Sequence, residues 1–287
     1  MVATRAAIVL AQILSFFPLW FLHRLSDSLA LLLQWVFAYR QKVVQDNIYR
    51  AFPQCHRAFY RKVIQGFYLN FSDLLVESIK SLHISPGEMK KRLRLRNPEV
   101  LEQLYRQKRG VIMVMGHYAN FEWLAMGIPL LVPQPCYAVY QKLKNREFSK
   151  MVVKIREQFG LTLFPMADTY PFMLHNEAEA PLYVFMADQS PHKGKIKFRT
   201  SFLGRSTPVH LGVENLARQC DLAVVFMEMH RMRRGRYELV CKLLYENTQK
   251  AKPYEVTRRH VAALEERIRQ KPQDWLWSHK RWKHAQD

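Results

Sequence analysis

Two spacings of apolar residues alternate along most of this chain. Residues 111–115, 137–140, 161–164, 182–186, 222–227 and 237–243 are short apolar or alternating runs bounded by polar residues, the pattern of strands in a sheet. Residues 59–82, 98–106, 121–131, 147–159, 209–218 and 256–270 carry apolar positions at helical spacing. Strands alternating with helices predict an α/β fold, a mixed, largely parallel sheet flanked by helices. In open sheets of this kind ligands collect beyond the carboxyl ends of the strands. That rim receives His117, just after the run at 111–115, and Asp188-Gln189, just after the run at 182–186.

The first 40 residues follow neither pattern. From 6 to 22 only Gln12 and Ser15 are polar, with Arg5 ahead and His23-Arg24 behind. This is at the short end for a transmembrane helix, which takes about 20 apolar residues. The bulky Phe16-Phe17-Pro18-Leu19-Trp20 lacks the small residues of a signal-peptide cleavage site; a buried core helix is the competing reading. A second apolar stretch, 29–33 with 35–37, is too short to span by itself. The expectation is an N-terminal membrane-anchoring helix followed by an interfacial helix over 1–40, then one large domain over 41–287. Nearly all Lys and Arg follow this segment, which favours a cytoplasmic bulk. Cys55, Cys136, Cys220 and Cys241 lack zinc or CxxC spacing and read as reduced thiols.

Charge narrows the partners. With 44 Lys and Arg against 24 Asp and Glu the net charge is +20, which suits nucleic acid, anionic lipid or an acidic carrier protein. No zinc-finger spacing, Gly-x-x-Gly clamp or aromatic-basic strand signature is present, so no nucleic-acid partner is expected. Basic clusters lie at 90–96, 193–199, 231–236 and 280–283. If 195–199 is extended, Lys195, Lys197 and Arg199 share one face.

The most specific chemistry lies at Gly116-His117-Tyr118-Ala119-Asn120-Phe121-Glu122. On a continuous helix His117 and Glu122 would stand about 140° apart, so the pair works only if His117 precedes the helix. Gly116 permits a sharp exit from the strand, and Asn120 suits the N-cap of a helix with Glu122 in its first turn. Neutral imidazole is a base near neutral pH, and a carboxylate on its second nitrogen fixes the tautomer. The chain has no Gly-x-Ser-x-Gly elbow, so the attacking group would be a hydroxyl of the substrate. Neither His-x3-His nor His-Glu-x-x-His occurs, and no metal is expected.

Other blocks follow the same order as one known family. They are Tyr39-Arg-Gln-Lys-Val-Val-Gln-Asp-Asn-Ile-Tyr-Arg-Ala-Phe-Pro53; His117-x4-Glu122; Tyr140-Gln-Lys-Leu-Lys-Asn145 with Arg156 and Gly160; Ala187-Asp188-Gln189 with Phe202-Leu203-Gly204, Thr207, Gly212 and Leu216-Ala217; and Trp275-Leu-Trp-Ser-His-Lys-Arg-Trp282. Together they resemble the bacterial lipid A biosynthesis (late) acyltransferases, part of the lysophospholipid acyltransferase-like group with the His-x4-Asp/Glu motif.

The resemblance implies a glycerol-3-phosphate acyltransferase-like fold at the cytoplasmic face of the bacterial inner membrane. It implies fatty acyl transfer from an acyl carrier protein thioester, or from coenzyme A, to a hydroxyl of a lipid A precursor or related glycolipid, with no cofactor. In that reading His117 is the general base, Glu122 orients it, and Asp188 and Gln189 are carried over as site residues. Tyr118 and Asn120 flank the site, Arg156 or Arg199 faces the oxyanion, and Lys195, Lys197 and Arg199 hold a phosphate or the acidic carrier. The chain departs from the family where many members carry an arginine before the Asp-Gln strand, and in Ser190-Pro191 after Asp-Gln. Alternatives are an aminolipid or lysophospholipid acceptor, or a non-catalytic protein that binds anionic lipid.

Overall fold

The computed structural model describes residues 2–141 and 145–284; residues 142–144, part of the 140–145 block, lie outside the described residues. Two short helices open the chain, α1 (Val2–Ser15) and α2 (Leu19–Leu31), and α2 runs into a π-helical turn, Leu32–Val36. Next come α3 (Gln41–Ala51), the long α4 (Arg57–Lys80) and α5 (Pro86–Arg92). The sheet region follows as β1 (Leu93–Leu95), α6 (Glu99–Arg106), β2 (Val111–Met115), α7 (Phe121–Gly127), β3 (Cys136–Tyr140), α8 (Arg146–Glu157), β4 (Leu161–Pro165), α9 (Thr169–Leu174) and β5 (Leu182–Met186). The last part is β6 (Arg199–Phe202), β7 (Arg205–Pro208), α10 (Gly212–Gln219), β8 (Ala223–Arg233), β9 (Arg236–Tyr245) and α11 (Glu255–Gln270).

Seven strands form one sheet in the order β1-β9-β8-β2-β5-β3-β4, with every neighbouring pair parallel except β8 and β9. All five residues of β2 are buried, because a parallel strand at the middle of a sheet covered on both faces meets no solvent. The α/β expectation therefore holds, and every predicted apolar run contributes a strand. β1 lies inside the basic run at 90–96 and β6 and β7 are polar, so these three give no apolar signal; β6 and β7 pair with each other as a separate antiparallel hairpin. The expected extended face of Lys195, Lys197 and Arg199 does not form. Lys193–Lys195 is a 3-10 turn and only Arg199 enters a strand, since the apolar alternation that would pin such a strand is absent.

The apolar segment 6–22 is not one helix. It breaks at 16–18, where Pro18 is the N-cap of α2, a position at which its missing N–H costs nothing. Among the described residues no helix is long and apolar enough to cross a membrane. Instead polar bonds stitch α1 and α2 to the rest of the chain. Buried Lys80 Nζ donates to the carbonyls of Ser15 and Phe17, both at 3.1 Å, neutralising the C-terminal end of α1. Ser26 Oγ donates to Asp73 at 2.6 Å, His23 Nε2 lies 2.9 Å from Glu77, and Arg234 joins Asp73 to Asp27. These bonds cross residue 40 repeatedly. The outward face stays apolar: Phe16 and Trp20 are each 69% exposed, Trp35 64% and Phe37 67%.

Candidate active site

The loop between β2 and α7 is shaped by two backbone demands. A Cβ on Gly116 would lie 2.6 Å from Leu264 Cδ1 and 3.3 Å from Asp188 Oδ2, so a side chain here would press on the Leu264 methyls and on the carboxylate. The positive φ that turns the chain falls instead on Ala119, at 49°, with its N–H held by the Asp274 carbonyl at 2.7 Å. Asn120 then caps α7, its Oδ1 accepting from the Trp123 amide at 2.9 Å, and its Nδ2 donates to the fully buried Glu77. Tyr237 donates its hydroxyl to the same carboxylate at 2.7 Å. Asn120 is thus a structural cap that does not line the site. Tyr118 is also turned inward: it is buried, forms a β-bridge with Trp275, and donates its hydroxyl to the Lys271 carbonyl at 2.7 Å.

His117 is left at the carboxyl end of β2, beside the residues that leave β5. Its Nδ1 lies 2.6 Å from Asp188 Oδ1, and its backbone N–H donates to Asp188 Oδ2 at 2.9 Å. Trp275 Nε1 donates to the same Oδ2 at 2.8 Å. Burial opposes a charge on His117, yet the Asp188 charge and hydrogen bond outweigh it and raise the imidazole above its ordinary value. Burial also opposes ionisation of Asp188, but His117 and the Trp275 N–H hold the carboxyl far below the usual carboxylate range. The pair is a carboxylate bonded to Nδ1 of an imidazole whose Nε2 lies toward the exposed Gln189 side. Gln189 Nε2 stands 3.2 Å from that nitrogen, and the Phe121 ring packs edge-on at a centroid distance of 4.8 Å.

Glu122, expected to orient His117, does something else. Both its oxygens are taken by Arg156 of α8, at 2.6 and 2.9 Å. Glu122 sits in the first turn of α7 and points across to α8, whereas Asp188 approaches the ring directly from the neighbouring strand. Arg156 is correspondingly committed to a bidentate ion pair. The pair borders a cavity of about 290 Å³ whose other walls include Leu75, Met126, Phe148, Val152 and Ile155.

Lys195 and Lys197 are exposed on the loop that follows Gln189, while Arg199 is half-buried and its Nη2 donates to the His284 carbonyl at 2.8 Å. Burial together with the charges of Arg281, His192 and Lys195 lowers His210, marking this rim as cationic.

The C-terminal tryptophan block belongs to the site. Besides Trp275 on Asp188, the Leu276 amide donates to the His117 carbonyl at 3.0 Å, and the Ser190 amide donates to His279 Nε2 at 3.2 Å. Trp282 Nε1 donates to Thr207 Oγ1 at 2.9 Å. Asn47 of α3 donates to the Trp277 and His279 carbonyls, both at 2.8 Å, so the block at 39–53 buttresses the block at 275–282. Trp275 had no sequence signal beyond its place in that block.

The family model of bacterial lipid A biosynthesis acyltransferases matches residues 2–284. No curated protein matches the chain. The match runs through α1, the sheet, the His117 loop and the tryptophan block alike, and the chain belongs to the bacterial lipid A biosynthesis acyltransferase family.

Proposed function

We propose that the protein transfers a fatty acyl chain from an acyl carrier protein thioester to a hydroxyl of a lipid A precursor, at the membrane surface, with His117 and Asp188 as the proton-handling pair. The observation that carries this reading is the His117–Asp188 contact at 2.6 Å, with Nε2 toward Gln189, at the carboxyl ends of two adjacent strands. With Nδ1–H donated to Asp188, Nε2 takes the acceptor hydroxyl proton as its oxygen attacks the thioester carbonyl. The C–O bond forms, and the carbonyl electrons move onto the oxyanion. When the intermediate collapses the C–S bond breaks, and the proton on Nε2 passes to the departing sulfur. The Gln189 amide, a donor beside Nε2, is placed to hold the oxyanion or the incoming hydroxyl.

The cavity bordered by Glu122 and Arg156 suits an acyl chain, with α7 and α8 held together by that ion pair. The cationic rim of Lys195 and Lys197, with Arg199 behind them, suits the phosphate of the acceptor or the acidic carrier. The test incubates detergent-solubilised protein with labelled acyl carrier protein and a Gram-negative total lipid extract, then resolves labelled lipids by mass. A labelled lipid A precursor is expected. A product of another mass replaces the acceptor, and absence of transfer from both carrier protein and coenzyme A donors by folded protein overturns the reading.

Membrane association in this reading is interfacial. Phe16 just past α1, Trp20 on α2, and Trp35 and Phe37 at the π-helical turn are exposed on a chain of net charge +20, and aromatic side chains beside cations favour the headgroup boundary. Burying one large aromatic side chain is worth about 1.5–3 kcal/mol. Trp20→Glu with Trp35→Glu is therefore expected to weaken sedimentation with anionic vesicles by more than about 100-fold. A double variant that pellets like wild type would remove this face from the membrane contact.

A further inference from the structure

Beside Asp188, with His117 not among its lining residues, lies a small space. Asp188, His260 and Arg281 line it together with apolar side chains that include Val114, Phe226 and Leu264. Two of the side chains that line it are buried and carry unpartnered nitrogens. His260, from α11, is 3% exposed and its Nε2 has no hydrogen-bond partner; Arg281 is 2% exposed, and its Nε has none either, although its Nη1 donates to the Pro208 carbonyl at 2.9 Å. The space open to the centre of a water molecule is about 10 Å³, about that of a single water, and a buried water needs two to four polar partners. The three polar groups here supply that number.

We propose that a single water in this space joins Arg281 and His260 to Asp188, making Arg281 a positioning residue that limits how strongly the carboxylate holds the His117 proton. The water accepts from Arg281 Nε–H and donates to the carboxylate, and His260 takes its third bond. This satisfies two orphaned nitrogens that would otherwise carry the full penalty of burial. It also links a guanidinium to an anion that is bonded to the imidazole. Burial lowers Arg281 to about 10 against the pull of Asp188, so it remains a cation at neutral pH. Burial lowers His260 to about 4, so it is neutral there.

The ionisable groups around Asp188 are His117 from the β2–α7 loop, His260 from α11, and His279 and Arg281 from the C-terminal block. Those that bear on His117 are Asp188, Glu122, Arg156 and His279. Among the described residues that line this space, Arg281 is the one cation beside the carboxylate. Removing it leaves Asp188 less compensated, so the imidazolium is favoured and His117 titrates higher.

This inference rests on His117 as the base, but it is read without turnover. In isotope-labelled full-length protein, the His117 ring is titrated by NMR in wild type, Arg281→Met, Arg281→Lys and His260→Phe. Arg281→Met is expected to raise the His117 pKa by about one unit, the scale of one neighbouring charge in a partly buried setting. His260→Phe, whose larger ring displaces the water, raises it by roughly half as much, and Arg281→Lys stays near wild type. A His117 titration unmoved in folded Arg281→Met overturns the proposal; should that variant not fold, an unmoved titration in His260→Phe does so. Absence of acyl transfer with these shifts present would remove the reaction and leave the Arg281 linkage standing.

Discussion

Acyl transfer by His117→Ala is expected to fall about 100- to 10,000-fold, the range a general base contributes. His117 packs on Phe121 and bonds Asp188 at the rim, outside the tightly packed strands. The fold should therefore survive, with unchanged circular dichroism and vesicle binding. Most of the loss should appear in kcat, since the imidazole acts on the proton during attack and supplies little substrate binding. A variant that keeps more than about a tenth of wild-type kcat/KM would show that another group removes the hydroxyl proton.

Asp188→Asn is expected to lower kcat/KM by about 100-fold or more while shifting its pH dependence. In the wild type, attack requires neutral His117, and Asp188 raises that imidazole above its ordinary value. The acid limb of the profile should therefore have its midpoint above about 6.5, activity being lost as pH falls through it. Without the carboxylate charge the imidazolium loses its partner and the limb moves to lower pH. At the same time the amide can present either a donor or an acceptor to Nδ1, so the productive tautomer is no longer enforced. Glu122→Gln is the matched control. It breaks the pair with Arg156, removing the charge that raises His117 while leaving Arg156, which lowers it, so the acid limb moves to lower pH by less than in Asp188→Asn, whose carboxylate has the larger influence. If Glu122→Gln moves the limb and Asp188→Asn does not, Glu122 takes back the orienting role.

The N-terminal region shows why apolar length alone misjudged the local structure. Residues 6–22 contain few polar side chains, but Pro18 interrupts the helix, and the polar residues that anchor the pieces, Lys80, Asp73, Glu77 and Arg234, lie far along the chain. A hydropathy window senses composition and is blind to a hydrogen bond across more than 50 residues.

What the sequence determined by itself was whatever depends on neighbours in the chain. The strands and main helices followed from apolar period, the loop position of His117 from helix geometry, and the Asn120 cap from a side chain three residues before the amide it receives. The order of the motif blocks identified the family. Tertiary structure alone decided the partner of His117. Glu122 is five residues away and Asp188 seventy-one, yet the parallel pairing of β2 with β5 sets Met115 beside Met186 and brings the following loops together. The rise of the strands and the register of that pair select the carboxylate that reaches Nδ1. The same packing turned Tyr118 and Asn120 inward, gave Arg156 to Glu122, and carried Trp275 and Arg281 around Asp188. Each of these contacts is made across the fold, where distance along the chain carries no information about distance in space.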